Sequence, residues 1–125
     1  MKHIKIFWVD DIKEWTDAIV DNLTIVAGKR EIELHVVHAL NGEDINQQLM
    51  QFDFDLIIMD YNMEPSNGDK YIQDVRNEEH LDQIPILFYS QDNNADLDGM
   101  VADVKNITTV YRPNLEDKVI ELFFG

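Results

Sequence analysis

The 125-residue chain contains no cysteine. That absence removes disulfides, thiolate nucleophiles and cysteine-based zinc or iron–sulfur centres from consideration. Basic residues are scarce, ten against 25 acidic ones, and the formal charge is −15 with a pI near 4.3. A surface of that sign is repelled by nucleic-acid phosphates and anionic lipid, so the chain is a poor candidate for binding either. Three prolines and five glycines are too few for a low-complexity or fibrous chain. No apolar run approaches the roughly 20 residues of a membrane span. The opening Met1-Lys2-His3-Ile4-Lys5-Ile6-Phe7 turns acidic at Asp10 and carries no signal-peptide cleavage pattern. The expectation is one cytoplasmic domain over residues 1–125, whose 45% apolar content suffices for a core.

What is present is a regular alternation of short apolar and amphipathic segments. Ile4 to Val9 is rich in β-branched and aromatic residues and closes on Asp10-Asp11, which predicts a strand. Ile12, Trp15, Ile19 and Leu23 recur at the spacing of one helical face. Asp11 and Glu14 open that helix in a capping-box arrangement, and Gly28 is placed just past its end. Ile32 to Val37 predict a second strand, and 42–51 a short helix with Ile45 and Leu49 inward. Asp55-Leu56-Ile57-Ile58-Met59-Asp60 is apolar throughout its middle, as in a parallel strand buried on both faces.

A loop from Tyr61 to Gly68 then leads to a helix through Tyr71, Ile72 and Val75. Ile84 to Tyr89 predict a fourth strand, 92–105 an acidic helix interrupted by Gly99, Ile107 to Tyr111 a fifth strand, and Leu115 to Phe124 a last helix. Trp8, Trp15, Phe52, Phe54 and Phe88 read most simply as core. Five strands alternating with five helices imply a doubly wound α/β domain, a five-stranded parallel sheet with helices on both faces.

In an open sheet of this kind, ligands bind outside the carboxyl ends of the strands. Strand one ends in Asp10-Asp11, strand three in Asp60, strand four in Ser90 and strand five in Arg112-Pro113. Singly, each has a plain reading: Asp11 a helix cap, Asp60 and Ser90 turn residues, Arg112 a surface charge. Jointly they say more. Three carboxylates at one sheet edge repel one another unless a cation or protons compensate. Hard oxygen ligands suit Mg²⁺. A carboxylate beside such an ion, with a hydroxyl and a cationic side chain opposite, can attack phosphorus and hold a phosphoryl group. His3, His35, His38 and His80 are scattered; His35 and His38, three apart on a strand, face opposite sides and form no metal pair.

This ordered set resembles the receiver domain of two-component response regulators. The resemblance rests on Val9-Asp10-Asp11, Asp55-Leu56-Ile57-Ile58-Met59-Asp60, Gly68, Pro85, Ser90 and Arg112-Pro113, and it covers the whole chain without insertions. It implies the flavodoxin-like strand order 2-1-3-4-5. It implies Asp60 as phosphoacceptor, Asp11 as a direct and Asp10 as a mostly water-mediated ligand of Mg²⁺ or Mn²⁺, and the backbone carbonyl of Asn62 as another ligand. Ser90 would be the switch hydroxyl. Arg112 stands where the family carries lysine, and Thr109 where it carries an aromatic switch residue; Tyr111 lies beside Arg112 instead. Pro65 comes one place later than the family's proline, with Glu64 in that position.

The implied partners are a histidine kinase or phosphotransfer protein, and a downstream protein or fused output domain on the helix 4–strand 5–helix 5 face. Such a chain accepts phosphate and is not an enzyme beyond autodephosphorylation at most. A second expectation is a degenerate receiver that binds proteins without phosphorylation, for which Arg112 and Thr109 speak. An aspartyl phosphatase is disfavoured, because Asp10-Asp11-Ile12-Lys13 lacks the Asp-x-Asp-x-Thr pattern, and flavin binding because Trp8–Lys13 lacks a hydroxyl- and glycine-rich phosphate loop.

Overall fold

Strand β1 (Lys2–Val9) buries Ile4, Ile6 and Trp8 on one side and Phe7 and Val9 on the other. A strand apolar on both sides needs cover on both faces, and the chain supplies it. The computed structural model describes residues 1–92 and 94–124. After β1 come α1 (Lys13–Lys29), β2 (Ile32–Ala39), α2 (Ile45–Leu49), β3 (Leu56–Asp60) and α3 (Gly68–Arg76). A 3₁₀ turn (Glu79–Leu81), β4 (Ile86–Ser90), α4 (Leu97–Met100) and β5 (Ile107–Tyr111) follow. The 3₁₀ turn Arg112–Asn114 then opens α5 (Leu115–Val119), which widens into a π-helical turn over Ile120–Phe124.

All five strands are parallel, in the expected order β2-β1-β3-β4-β5. The central strands β3 and β4 are buried at every residue. On one face, Ile45 and Leu49 of α2 and Ile72 and Val75 of α3 pack on Phe7, Ile57, Met59 and Phe88. On the other, Leu23 of α1 and Leu115 and Val119 of α5 pack on Ile6, Trp8, Ile58 and Tyr89. No helix among the described residues is long and apolar enough to cross a membrane.

Four local expectations are corrected. The Asp11–Glu14 capping box does not form: α1 begins after Ile12, which is exposed and has no side-chain cap. Instead the Asp10 carboxylate accepts the Ile12 N–H at 2.7 Å, so the acid one residue earlier organises the turn. Gly28 lies inside the last turn of α1, and Glu31, with φ of 58°, takes the left-handed position after it.

The helix expected over 92–105 shrinks to the single turn of α4, while Asn93 lies outside the described residues. Aspartate favours caps over helix interiors, and the Asp96 carboxylate accepts the Gly99 N–H at 3.0 Å as such a cap. Phe52, read as core, is exposed, with the Lys5 ammonium 4.5 Å from its ring centroid.

Gly68 has a positional reason. Its N–H donates to the Tyr61 carbonyl at 2.9 Å, and a Cβ built there would sit 2.1 Å from the Asp60 carbonyl oxygen. Without a side chain at that point, α3 starts flush against the segment that carries Asp60.

Candidate functional site

Parallel register aligns Val9 with Met59, Asp60 with Tyr89, and Ser90 with Tyr111, so the chain leaves four adjacent strands at one edge. Carboxylate oxygens of Asp10, Asp11 and Asp60 lie within 4.8 Å of one another there. Asp10 is 1% and Asp60 6% exposed, whereas Asp11 faces solvent.

Both Asp10 oxygens are engaged. Oδ1 accepts the Ile12 N–H, and Oδ2 accepts the Tyr89 hydroxyl, which in turn accepts the Trp8 indole N–H at 3.1 Å. The Asp10 carbonyl accepts the His38 Nε2–H at 2.7 Å, which fixes that imidazole's tautomer. Asp60 Oδ1 accepts the Asn62 N–H at 3.2 Å. Ser90 donates its hydroxyl to Asn62 Oδ1 at 2.9 Å and accepts the Asp92 N–H at 3.0 Å, so Ser90 and Asp60 share Asn62 as a neighbour.

Burial, and then the Asp10 and Asp11 charges, push the Asp60 carboxyl up to about 7, against lowering by the Asn62 N–H and Arg112. Burial also raises Asp10, with the Tyr89 hydroxyl, the Ile12 N–H and the Arg112 charge opposing it. The Tyr89 phenol is driven upward by burial and by the Asp10 and Asp60 charges, which keeps it protonated as a donor.

Arg112, the cationic side chain expected opposite the carboxylates, rests in other contacts. Its guanidinium carbon lies 3.8 Å from the Trp15 ring centroid, and its NH1 donates to Gln91 Oε1 at 2.7 Å. Among the described residues no ion pair joins it to the three carboxylates, and its buried Nε–H has no partner. A flat, weakly hydrated cation on an indole face is a favourable contact, worth roughly 0.5–2 kcal/mol. Thr109 donates to Asp98 in α4, and both line a cleft of about 200 Å³ together with Ser90, Asp96 and Tyr111.

The structure thus brings Asp10, Asp11 and Asp60 together, links Ser90 to them through Asn62, and leaves Arg112 and Thr109 in other contacts. Tyr89, Trp8, Trp15 and His38 are the members that sequence reading missed. The available signal was chemical: a buried tyrosine or tryptophan brings an O–H or N–H that demands a partner.

A family profile described as response regulator receiver domain matches residues 6–122. The fold is shared with solved structures at low identity. The receiver domain of a DNA-binding response regulator from Colwellia psychrerythraea 34H is 17% identical, with TM-score 0.79 over 98% of this chain and 99% of that one. The chemotaxis protein CheY4 of Vibrio cholerae is 21% identical, with TM-score 0.76 over 95% and 94%. The response regulator TrrA of Thermotoga maritima, solved with Mg²⁺ and BeF, is 20% identical, with TM-score 0.72 over 98% and 100%. No curated protein sequence matches.

The raised Asp60 carboxyl makes a stability prediction. The unfolded chain loses this proton near the ordinary 3.8 and the folded chain only near 7, so between those values the folded state binds more protons. Stability contributed by protonated Asp60 is therefore present below about pH 4 and lost as pH rises through 7. At about 1.4 kcal/mol per pH unit, the penalty at pH 8 is a few kcal/mol. Asp60→Asn should melt higher than the parent at pH 8, by roughly 5 °C or more, and its advantage should vanish near pH 4. An equal difference at both pH values would contradict the assignment.

Proposed function

The chain belongs to the response regulator receiver family, and from that premise we propose that Asp60 accepts a phosphoryl group and switches the binding of a partner protein. The observation that carries this reading is the Asp10, Asp11 and Asp60 oxygens gathered within 4.8 Å at the carboxyl end of the sheet. Such an all-oxygen, anionic donor set fits Mg²⁺ or Mn²⁺ and would be self-repelling without compensation. Asp11, exposed and without a hydrogen bond among the described side chains, is suited to direct ligation. Asp10, with both oxygens engaged, is suited to holding the ion through water. Asp60 and the Asn62 backbone carbonyl complete the set. When bound, the ion supplies charge neutralisation for the carboxylates and the phosphoryl oxygens.

An Asp60 oxygen forms the new O–P bond as the N–P bond of a phosphohistidine on a histidine kinase or phosphotransfer protein breaks, and the imidazole leaves with the electron pair. Burial holds Asp60 poorly hydrated, and the Asn62 N–H orients it. Ser90 would exchange the Asn62 side chain for a phosphoryl oxygen. Arg112 would bring the Nε–H that now lacks a partner. Thr109, tied to Asp98, would pass the change into the α4–β5–α5 face, where a downstream protein or a fused output domain would bind. Phosphorylation alters the partner's affinity only if that partner contacts the two states differently. Beyond this transfer, any reaction of its own is limited to loss of the phosphoryl group.

The resting place of Arg112 also favours a second reading. A guanidinium stacked on Trp15 and bonded to Gln91, rather than paired with carboxylates, suits a degenerate receiver that binds proteins without phosphorylation.

Incubation with acetyl phosphate and Mg²⁺, followed by intact mass, separates the two. One hydroxylamine-sensitive phosphoryl group is expected, absent without Mg²⁺ and absent in Asp60→Asn. No adduct, or an undiminished one in Asp60→Asn, would favour the degenerate reading or another acceptor. Arg112→Ala should retain some adduct but lose charge-assisted bonds worth roughly 1.5–3 kcal/mol, shifting the switching equilibrium by about one to two orders of magnitude. Trp15→Leu should change the adduct's lifetime in the same assay, because it frees Arg112 from its platform. Lifetimes equal to the parent's in both variants would reduce Arg112 to a surface charge.

A further inference from the structure

β2 is an edge strand laddered to β1, and His3, Glu33 and His35 at the amino-terminal end of that pair are exposed. Register sets His3 beside Glu33, and His35 lies two residues on along the same side of β2. His3 Nδ1 is 3.0 Å from Glu33 Oε2, and His35 Nε2 is 3.7 Å from Glu33 Oε1. The two imidazoles are stacked with centroids 5.9 Å apart and an interplanar angle of 11°. One donor atom from each of the three residues lies within 4.8 Å of the others.

We propose that His3, Glu33 and His35 form a second metal site, for a divalent transition ion of the Zn²⁺ class, with water completing its coordination. Two imidazoles and a carboxylate are a borderline donor set that suits Zn²⁺ and is poor for Mg²⁺, so this site and the carboxylate cluster select different ions. Zinc bonds of about 2.0–2.2 Å in tetrahedral geometry set donor atoms roughly 3.3–3.5 Å apart. The observed 3.0 and 3.7 Å run to the two different oxygens of Glu33, with one donor atom of each residue already within 4.8 Å of the others. The exposed, near-parallel rings turn about their side-chain bonds to aim both nitrogens at one ion.

The surroundings favour a cation. Lys5, the register partner of His35, turns its ammonium onto the Phe52 ring at 4.5 Å, and the chain carries a formal charge of −15. The bound ion would clasp edge strand β2 to β1. His3 and Asp10 are seven positions apart along the extended chain, roughly 23 Å, so the clasp lies at the opposite end of the sheet from Asp60. It is independent of phosphorylation.

The test uses the full chain carrying Asp11→Asn and Asp60→Asn, so that the carboxylate cluster cannot hold the ion in the same way. Zn²⁺ titrated by calorimetry should bind one per chain, raise the thermal midpoint, and shift the imidazole resonances of His3 and His35 but not His80. Mg²⁺ should do none of these. His3→Ala and His35→Ala, checked for an unchanged circular dichroism spectrum, should each weaken Zn²⁺ by about tenfold or more, as loss of one of three protein ligands. No stoichiometric Zn²⁺ binding, or binding undiminished in both variants, would overturn the site and leave these contacts as surface ion pairs.

Discussion

Asp60 is held almost out of water with the Asp10 and Asp11 oxygens within 4.8 Å, and the structure around it is arranged to tolerate that repulsion. Two charges brought together under poor hydration disfavour ionisation, so the cluster costs stability while it remains uncompensated. The cost is met by the apolar layers on both faces of β3 and β4, which hold the strand ends at fixed separations. Hydrogen bonds distribute the remainder. Ile12 and Tyr89 donate to Asp10, and Asn62 donates to Asp60. The tyrosine in turn accepts from Trp8, so the polar site is anchored inside the α1–α5 side of the core.

Arg112 and Trp15 are best understood as one feature. A lysine ammonium is a compact, strongly hydrated point charge; a guanidinium is planar and pairs well with an indole face. With Trp15 in α1 at 3.8 Å, the basic group at the end of β5 has a resting position away from the carboxylates, while its charge still lowers the Asp10 and Asp60 carboxyls. Trp15 also packs against Tyr89, ring centroids 5.6 Å apart, so the platform under Arg112 and the donor to Asp10 are in contact. Substituting one member disturbs the others.

Much of the fold was legible because burial on both sides leaves a continuous apolar mark, as in Leu56 to Met59 and Ile86 to Tyr89, and because five strand-like segments alternate with amphipathic ones at a regular interval. The three acids were legible for a topological reason: in a parallel sheet every strand delivers its last residue to the same edge. Features set by competition between neighbours were not. Asp10 rather than Asp11 receives the turn's N–H, which no spacing rule distinguishes. Asp92, Asp96, Asp98 and Asp103, with Gly99 among them, reduced the expected acidic helix to a single turn capped by Asp96. The polar ends of Trp8 and Tyr89 were hidden inside residues counted as core, and the pairing of His3 with Glu33 depends on a register that the sequence alone leaves open.

Direct titration of the Asp60 side-chain carboxyl by ¹³C NMR, in metal-free protein, tests whether charge crowding under burial governs this site. The account predicts a midpoint pushed up to about 7, falling toward ordinary values when Asp10 is replaced by Asn. A midpoint near 3.8 in the parent chain, unmoved by that replacement, would contradict it.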